Sequence, residues 1–189
     1  ELSILAGQVA RDGTGILPLS SENNAFGVVE MGAAAEYAPG LKLQSAEEKG
    51  LTLLEMIDAA AEGKLKALYL VGADPLRHLP QKKVAAALDK LELLICQDLF
   101  PTETNAHSHV LLPATSFAEK SGHYTNHEGV VQKGRQAIDA VGTAKPDWMI
   151  FSILSHKIKK ETTLPYFKLV GYQSTDEIWK EIVMAMPSD

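Results

Sequence analysis

The spacing of apolar residues changes along the amino-terminal part of the chain. Residues 1–10 carry apolar side chains at helical spacing, which predicts a helix that ends at the turn signal RDGTG. Residues 16–50 are less regular. The stretch NAFGVVEMGAAA is compatible with a short helix, and the Gly-rich section around Pro39-Gly40 favours a loop. This part of the chain therefore predicts a helix followed by a loop segment.

From residue 51 onward, helical stripes alternate with short apolar runs. Residues 53–61 and 81–90 have apolar positions at helical spacing, whereas ALYLV (67–71), LELLIC (91–96) and HVLL (109–112) are continuously apolar. Strands this apolar, separated by helices, predict a parallel sheet that is covered on both faces. Right-handed crossovers would then place the carboxyl ends of all three strands at one edge. The predicted fold class is α/β, with a mainly parallel sheet and helices on both faces.

The pattern after the third strand is mixed. VQKGRQAI (131–138) fits either an added strand or an irregular return. Pro146 begins a predicted helix that runs to about Lys159, and Ser174 with Glu177 forms a capping-box signature for a last helix.

Chain length and these patterns predict three segments. The 189 residues are enough for one domain with a small appendage. We expect an N-terminal helix and loop segment at 1–50, a main domain at 51–160, and a C-terminal extension with a final helix at 161–189. The chain starts at Glu1 without a methionine, which hints at a fragment of a longer protein.

Composition excludes several classes of function. The formal net charge is −6 and no long basic run occurs, which argues against a nucleic-acid surface. No apolar run approaches the roughly 20 residues of a bilayer span, so direct membrane insertion is not expected. Cys96 is the single cysteine, which rules out an internal disulfide or a multi-cysteine metal site. We predict that it is a buried, inert thiol.

Polar residues follow each predicted strand at the same topological level. The strand ends read GADP (72–75), QD (97–98) and PATS (113–116). In open parallel sheets, ligands bind outside the carboxyl ends of the strands, where helix N-termini favour anions. One crevice could therefore collect Asp74, Gln97, Asp98, Thr115 and Ser116. The alternative is that these residues only form turns and caps, since Asp-Pro and Thr-Ser are good turn formers.

Other chemistries have weaker support in the sequence. His107 and His109 would point to opposite faces of an extended segment, and His123 and His127 lack a third metal ligand. No nucleophile elbow, Walker loop or dinucleotide fingerprint occurs. The neighbours Glu119-Lys120 are expected to form an ion-paired surface turn. No catalytic residue and no metal ligand are predicted.

Three stretches together resemble the molybdopterin oxidoreductase superfamily. They are SENNAFGVVEMG (21–32), CQDLFPTETNAHSHVLLPATSFAEKSGHYTNHEGVVQ (96–132) and KPDW (145–148). The resemblance covers residues 1 to about 150. The superfamily includes formate dehydrogenases, periplasmic nitrate reductases and an electron-transfer subunit of bacterial NADH:quinone oxidoreductase (respiratory complex I).

The resemblance implies a Rossmann-like three-layer domain that holds part of a bis-guanine-dinucleotide molybdenum cofactor. The positions that it places near this cofactor are Asp74, Gln97, Asp98, Lys120, Asn126 and Asp147. Carboxylates can accept hydrogen bonds from a guanine edge, and Lys120 can approach a diphosphate as a mobile charge. Asn126 can both donate and accept.

The chain departs from the family pattern at charged positions. The family motif R-G-Q-N-N aligns with residues 20–24, which read SSENN, and E-G-R-V-Q aligns with 128–132, which read EGVVQ. Asp74 stands where family members often have asparagine. All three changes make the region less positive, which predicts that the pocket no longer holds the anionic cofactor.

This pattern favours the electron-transfer subunit of NADH:quinone oxidoreductase, with the domain acting as a scaffold without its own redox centre. The isolated chain would then be inactive and would hold no cofactor, with iron–sulfur clusters expected in a missing N-terminal part. Its partners would be the other subunits of the respiratory complex, at the cytoplasmic side and peripheral to the inner membrane. The alternative is a bis-molybdopterin-guanine-dinucleotide-binding domain of a formate dehydrogenase-type enzyme. A third hypothesis is an α/β module that binds only a small nucleotide or a partner protein.

Overall fold

A computed structural model describes residues 1–9, 11–17, 19–20, 22–161 and 170–186. The helices are α1 Leu2–Leu5, α2 Ala25–Glu30, α3 Leu53–Ala61, α4 Pro75–His78, α5 Gln81–Leu88, α6 Asp147–Glu161 and α7 Thr175–Ala185. The strands are β1 Tyr37–Ala38, β2 Lys42–Leu43, β3 Ala67–Val71, β4 Leu93–Asp98, β5 Val110–Pro113, β6 Gly122–Thr125 and β7 Val131–Gly134. Single turns of 3₁₀ helix span Thr104–His107 and Phe117–Glu119.

The central sheet is parallel, as the apolar runs predict. Its strand order is β3-β4-β5, with Leu70 opposite Cys96 and Cys96 opposite Leu111. The three carboxyl ends therefore lie at one edge of the sheet. Helices α4 and α5 form the crossover between β3 and β4, since parallel neighbours need a long connection. The α/β prediction is confirmed.

The hydrophobic core lies between one face of the sheet and helices α3 and α5. Its buried members are Ile57, Ala60, Leu70, Leu76, Val84, Ala87, Leu88, Leu91, Leu94 and Cys96. Side chains alternate between the two faces of a strand, so Tyr69 lies on the face opposite Leu70. There its ring meets Phe151 of α6 edge-on, with the ring centroids 5.9 Å apart. Helices thus pack on both faces of the sheet.

Cys96 is buried within this core, as predicted. Only 1% of the residue is exposed. Burial raises the pKa of its thiol, and the nearby carboxylates of Asp98 and Asp74 raise it further. A thiol with a raised pKa has little thiolate at neutral pH, so Cys96 is a poor nucleophile.

Local capping explains where two helices begin. Thr52 and Glu55 form a reciprocal capping box at α3, with the Thr52 N–H donating to the Glu55 carboxylate at 2.7 Å. At α7 the Ser174 hydroxyl accepts from the Glu177 N–H at 3.3 Å. The Glu177 carboxylate instead accepts from the N–H of Gln173, at 2.8 Å. The predicted capping box at Ser174 is therefore only half formed.

Several predicted elements have different bounds in the structure, and two of the differences have a clear cause. The helix predicted over 1–10 is limited to α1, because Leu2 and Leu5 are 79% and 85% exposed and gain no packing that would extend it. Gly7 then adopts a left-handed φ of 65°. The strand predicted at 91–96 is displaced to β4, because Leu91 completes the turn that follows α5. Consequently Gln97 and Asp98 belong to the strand itself.

Two hairpins occupy regions where a loop had been predicted, around Pro39-Gly40, or where the prediction had been left open, at 131–138. Strands β1 and β2 pair on either side of the Pro39-Gly40 turn. Strands β6 and β7 pair antiparallel from Gly122 opposite Gly134 to Thr125 opposite Val131. The first half of VQKGRQAI is therefore a strand, and its partner is β6 in the segment just before it.

Helix α7 of the predicted C-terminal extension packs against the second hairpin. The indole of Trp179 stacks on the His123 ring, with centroids 4.6 Å apart and planes inclined by 18°. The Lys133 ammonium lies 2.5 Å from the Asp176 carboxylate. Positions 162–169 and 187–189 of the extension lie outside the described residues. None of the helices within the described ranges has both the length and the hydrophobicity of a bilayer span.

Candidate functional site

Four polar side chains meet at the carboxyl edge of the central sheet. Gln97, at the end of β4, donates from Nε2 to Asp147 Oδ1 at 2.7 Å. Its Oε1 accepts from the Tyr69 hydroxyl. The Lys120 ammonium forms an ion pair with the other carboxylate oxygen of Asp147. We call Tyr69, Gln97, Lys120 and Asp147 the edge cluster.

The fold brings these residues together from distant parts of the sequence. Tyr69 and Gln97 share one face of neighbouring parallel strands, since Tyr69 is opposite Ile95. A parallel bridge between Ala114 and Lys145 leads the chain past the end of β5 to Asp147, the first residue of α6. A carboxylate in the first turn of a helix is stabilised by the helix dipole.

The edge cluster is partly open to solvent. Gln97 is 1% exposed, whereas the side chains of Lys120 and Asp147 are 24% and 30% exposed. A ligand could therefore reach the ion pair but not the amide. Burial raises the pKa of the Tyr69 hydroxyl, and the negative charge of Asp147 adds to this shift. Tyr69 consequently stays protonated and can donate at neutral pH.

Asp74 follows β3 as the N-cap residue of α4, and it is held by Thr104, which was not among the predicted site residues. The Thr104 hydroxyl donates to the Asp74 carboxylate and accepts from the Leu76 N–H at 3.2 Å. Thr104 is fully buried. In the sequence it is the threonine of Glu103-Thr104, within the family-like stretch 96–132. Membership of that stretch was the feature that could have pointed to its role. This contact ties the strand end to the 3₁₀ turn that follows β4.

Asp98 and Ser116 serve local turns in the structure. The Asp98 carboxylate accepts from the N–H of Leu99 at 2.7 Å, and Ser116 caps the 3₁₀ turn that contains Glu119. Thr115 is fully buried, and its hydroxyl has no hydrogen-bond partner among the described residues. The turn-and-cap alternative thus describes part of this edge.

The predicted surface ion pair between Glu119 and Lys120 is wrong. The Glu119 carboxylate accepts from the backbone N–H groups of Ser116 and Val141, at 2.8 and 2.9 Å. These hydrogen bonds and that of the Ser116 hydroxyl lower the pKa of Glu119, the Ser116 backbone contributing most. Lys120 is extended and reaches Asp147 instead. Glu119 belongs to the 3₁₀ turn that Ser116 caps, whereas the backbone of Lys120 is extended, so the two neighbouring side chains reach different partners.

Asn126 lies in the turn of the second hairpin. Its side-chain oxygen accepts from the N–H groups of Glu128 and Val130, both at 2.9 Å. This is an Asx-type turn, in which the side chain replaces a backbone acceptor. The structure therefore gives Asn126 a local role, and its predicted role at a cofactor stays a prediction.

The segments that align with R-G-Q-N-N (20–24) and E-G-R-V-Q (128–132) both contribute to the lining of one cavity of about 1090 Å³. Ser20, Glu22 and Asn23 contribute from one side, and Asn126 and Gln132 contribute from the hairpin. Ser21, which the alignment to R-G-Q-N-N also includes, lies outside the described residues.

Asn24 and Gly27 join these two motif regions, and sequence reasoning missed both. The Asn24 side-chain oxygen accepts from the Thr125 N–H at 2.8 Å. A Cβ added at Gly27 would lie 2.6 Å from that oxygen and 2.9 Å from the Thr125 hydroxyl. Only glycine permits this close approach of α2 to β6.

The donor set fits the nucleotide end of the implied cofactor better than its phosphates. Guanine presents adjacent N–H donors, and the partly exposed carboxylate of Asp147 is a suitable acceptor. Lys120 is the cation of the edge cluster, and its charge is already matched by Asp147. Within the described residues, no group of three or more His, Cys, Asp or Glu side chains is placed to hold a metal ion.

Comparison with known proteins identifies related chains. The F420-dependent formate dehydrogenase subunit alpha of Methanocaldococcus jannaschii is 35% identical over 201 residues, covering 98% of this chain and 29% of the relative. The NADPH-Fe(3+) oxidoreductase subunit alpha of Geobacter sulfurreducens is 34% identical, covering 86% of this chain and 21% of the relative. A nitrate reductase of Shewanella frigidimarina is 35% identical, covering 80% and 18%. This chain therefore spans less than a third of the length of these relatives.

A solved structure shows the same fold. Acetylene hydratase from Pelobacter acetylenicus superposes with a TM-score of 0.53 at 21% identity, covering 66% of this chain and 17% of its own. The comparisons support a relationship to formate dehydrogenase alpha subunits. They do not show the predicted identity with the electron-transfer subunit of NADH:quinone oxidoreductase. The family model for molybdopterin oxidoreductases matches residues 1–157. The chain therefore belongs to the molybdopterin oxidoreductase family.

Proposed function

We propose that this chain is a nucleotide-binding part of a formate dehydrogenase-type molybdopterin oxidoreductase. In this proposal the edge cluster holds a guanine end of a bis-molybdopterin-guanine-dinucleotide cofactor. The observation that carries it is the ion pair of Lys120 and Asp147 beside Gln97, at the edge where open parallel sheets bind ligands. The similarity to formate dehydrogenase alpha subunits supports the same assignment.

Each open side chain of the edge cluster has a distinct task in this proposal. Asp147 accepts hydrogen bonds from the guanine edge. Lys120 keeps its ion pair with Asp147 and offers another of its N–H groups to a phosphate oxygen. Gln97 donates to Asp147 and keeps that carboxylate in place. The bound cofactor would supply the two-electron redox chemistry. This chain binds and orients it, and the residues that act on substrate lie elsewhere in the parent enzyme.

Local charge limits what the edge cluster does alone. Asp74, Asp98 and Asp147 lie at the same strand edge as Lys120, so the site has an excess of negative charge. A phosphate that approaches Lys120 must share it with Asp147. Further cations for the phosphates would therefore come from other parts of the longer parent protein.

One set of observations favours the second candidate, a scaffold domain within the electron-transfer subunit of respiratory complex I. Ser20 stands where the family has an arginine. Among the described residues that line the 1090 Å³ cavity, Lys133 is the only lysine or arginine, and it is paired with Asp176. An anionic ligand would find no unpaired ammonium or guanidinium on this lining.

Metal and nucleotide analysis of the full-length protein separates the two candidates. We expect molybdenum or tungsten together with guanine nucleotide released by acid. The Lys120→Met variant should contain less nucleotide, because the phosphate loses its cation. Lys83→Met is the matched control, since Lys83 forms an ion pair with Asp58 away from the cluster. Iron without molybdenum or tungsten in the wild-type protein would refute the proposal and support the scaffold function.

A further inference from the structure

Tyr69 contacts the edge cluster from a direction that the family-like motifs do not cover. It lies within β3, outside the three motif stretches, and its hydroxyl donates to Gln97 Oε1. Its ring packs edge-on against Phe151, with an angle of 67° between the ring planes. Tyr69 therefore connects the sheet, the α6 helix and the amide of Gln97.

The Gln97 amide needs a partner at each end because it is almost fully buried. Its NH₂ group donates to Asp147 at 2.7 Å. Its carbonyl oxygen would be left without a partner if the Tyr69 hydroxyl were removed. A buried amide oxygen without a hydrogen bond is unfavourable, so the side chain would move or admit water.

We infer that Tyr69 is a positioning residue for the nucleotide site, and this inference rests on the proposed function. Tyr69 acts through Gln97, which in turn holds Asp147 Oδ1. The other oxygen of Asp147 is held by Lys120. With Tyr69 in place, the carboxylate is restrained from both sides and presents a constant geometry to the guanine edge.

Tyr69→Phe isolates the hydroxyl because it keeps the ring and its contact with Phe151. In the full-length protein, we expect acid-released guanine nucleotide to fall when cofactor supply is limiting, by about fivefold for one lost hydrogen bond. Tyr172→Phe is the matched control. It removes a hydroxyl that donates to Glu181 at 2.5 Å, in the carboxyl-terminal region. This control should retain the wild-type nucleotide content.

A double-mutant cycle tests whether Tyr69 acts through Gln97. Gln97→Ala alone should lower nucleotide content, and adding Tyr69→Phe should lower it no further. A purely structural role would instead give additive losses. In NMR spectra of the 189-residue chain, Tyr69→Phe should also shift the Gln97 side-chain NH₂ resonances, and this readout needs no cofactor.

The outcomes separate this inference from the proposed function. Wild-type nucleotide content in Tyr69→Phe, or additive losses in the cycle, overturns the role of Tyr69 and leaves the proposed function standing. Unchanged Gln97 resonances also overturn it. A wild-type protein that contains no guanine nucleotide overturns both.

Discussion

Partial burial determines how much the ion pair of Lys120 contributes to the stability of the fold. The solvent exposure of its ion pair with Asp147 is lower than that of a surface pair and higher than that of a buried pair. We expect Lys120→Met to lower the free energy of unfolding by about 1 kcal/mol, above most exposed pairs and below the roughly 3–5 kcal/mol of buried ones. Urea denaturation of the chain measures this. Lys83→Met, whose pair with Asp58 is more than half exposed on both sides, should lose less than about 0.5 kcal/mol. Equal losses would contradict the expectation.

Glu119 makes the stability of the chain depend on acid pH. Its folded pKa lies below the ordinary value because the Ser116 backbone, the Ser116 hydroxyl and the Val141 backbone bind the carboxylate. A depressed folded pKa contributes stability above the unfolded pKa, and this contribution is lost as pH falls through the folded value. Glu119→Gln should therefore lower Tm at pH 7, and the difference should shrink towards pH 3. The control Glu92→Gln, in a surface pair with Lys66, should show little difference at either pH.

At the scale of elements, the docking of α7 on the second hairpin should weaken in mild acid. Burial lowers the pKa of His123, Lys133 lowers it further, and Asp176 opposes them. The folded state therefore favours neutral His123. Its contribution is full above the unfolded pKa, roughly 6.5, and declines as pH falls from there through the lowered value. After correction for intrinsic exchange rates, the backbone amides of residues 175–185 should be less protected from hydrogen exchange at pH 5 than at pH 7.

His123→Phe is the control for this element. Phenylalanine keeps an aromatic ring against Trp179 but cannot take up a proton. Protection of α7 in this variant should be the same at pH 7 and pH 5, after correction for intrinsic exchange. A variant that still loses protection in acid would show that another group, rather than His123, controls docking.

At the scale of the whole molecule, stability depends on the core between the sheet and helices α3 and α5. Leu94 is fully buried on the central strand. Leu94→Ala should lower the free energy of unfolding by about 2–5 kcal/mol, because it leaves a cavity. The neighbouring Leu93 points to the other face and is 40% exposed, so Leu93→Ala should cost about 1 kcal/mol or less. Urea denaturation of both variants checks this, and similar losses would show that the core is placed wrongly.

Much of the fold could be predicted because local patterns reflect burial. ALYLV coincides with β3, and the parallel sheet follows from continuous apolar runs that alternate with helices. The burial of Cys96 follows from its apolar neighbours. The helix predicted at 1–10 was too long, since spacing shows an apolar face but not whether a partner covers it.

The candidate site could be predicted only in part. Strand ends placed Gln97 and Asp74 at one edge of the sheet, and the structure agrees. An ion pair was predicted between the neighbours Glu119 and Lys120, but in the structure each side chain contacts a different partner. The resemblance placed Asn126 near the cofactor; its side-chain oxygen closes a hairpin turn, and the cofactor role stays a prediction. Nearness in sequence does not determine where a side chain points.

The class of fold, the parallel strands and the family can all be read from the order of residues along the chain. Which polar groups meet depends on how the chain folds. Lys120 reaches Asp147 across 27 positions, and Asn24 holds the backbone of Thr125 across 101. The physical reason is that periodicity records which side of an element is buried. Hydrogen-bond partners depend instead on how the crossovers and hairpins bring distant segments within about 3 Å of each other.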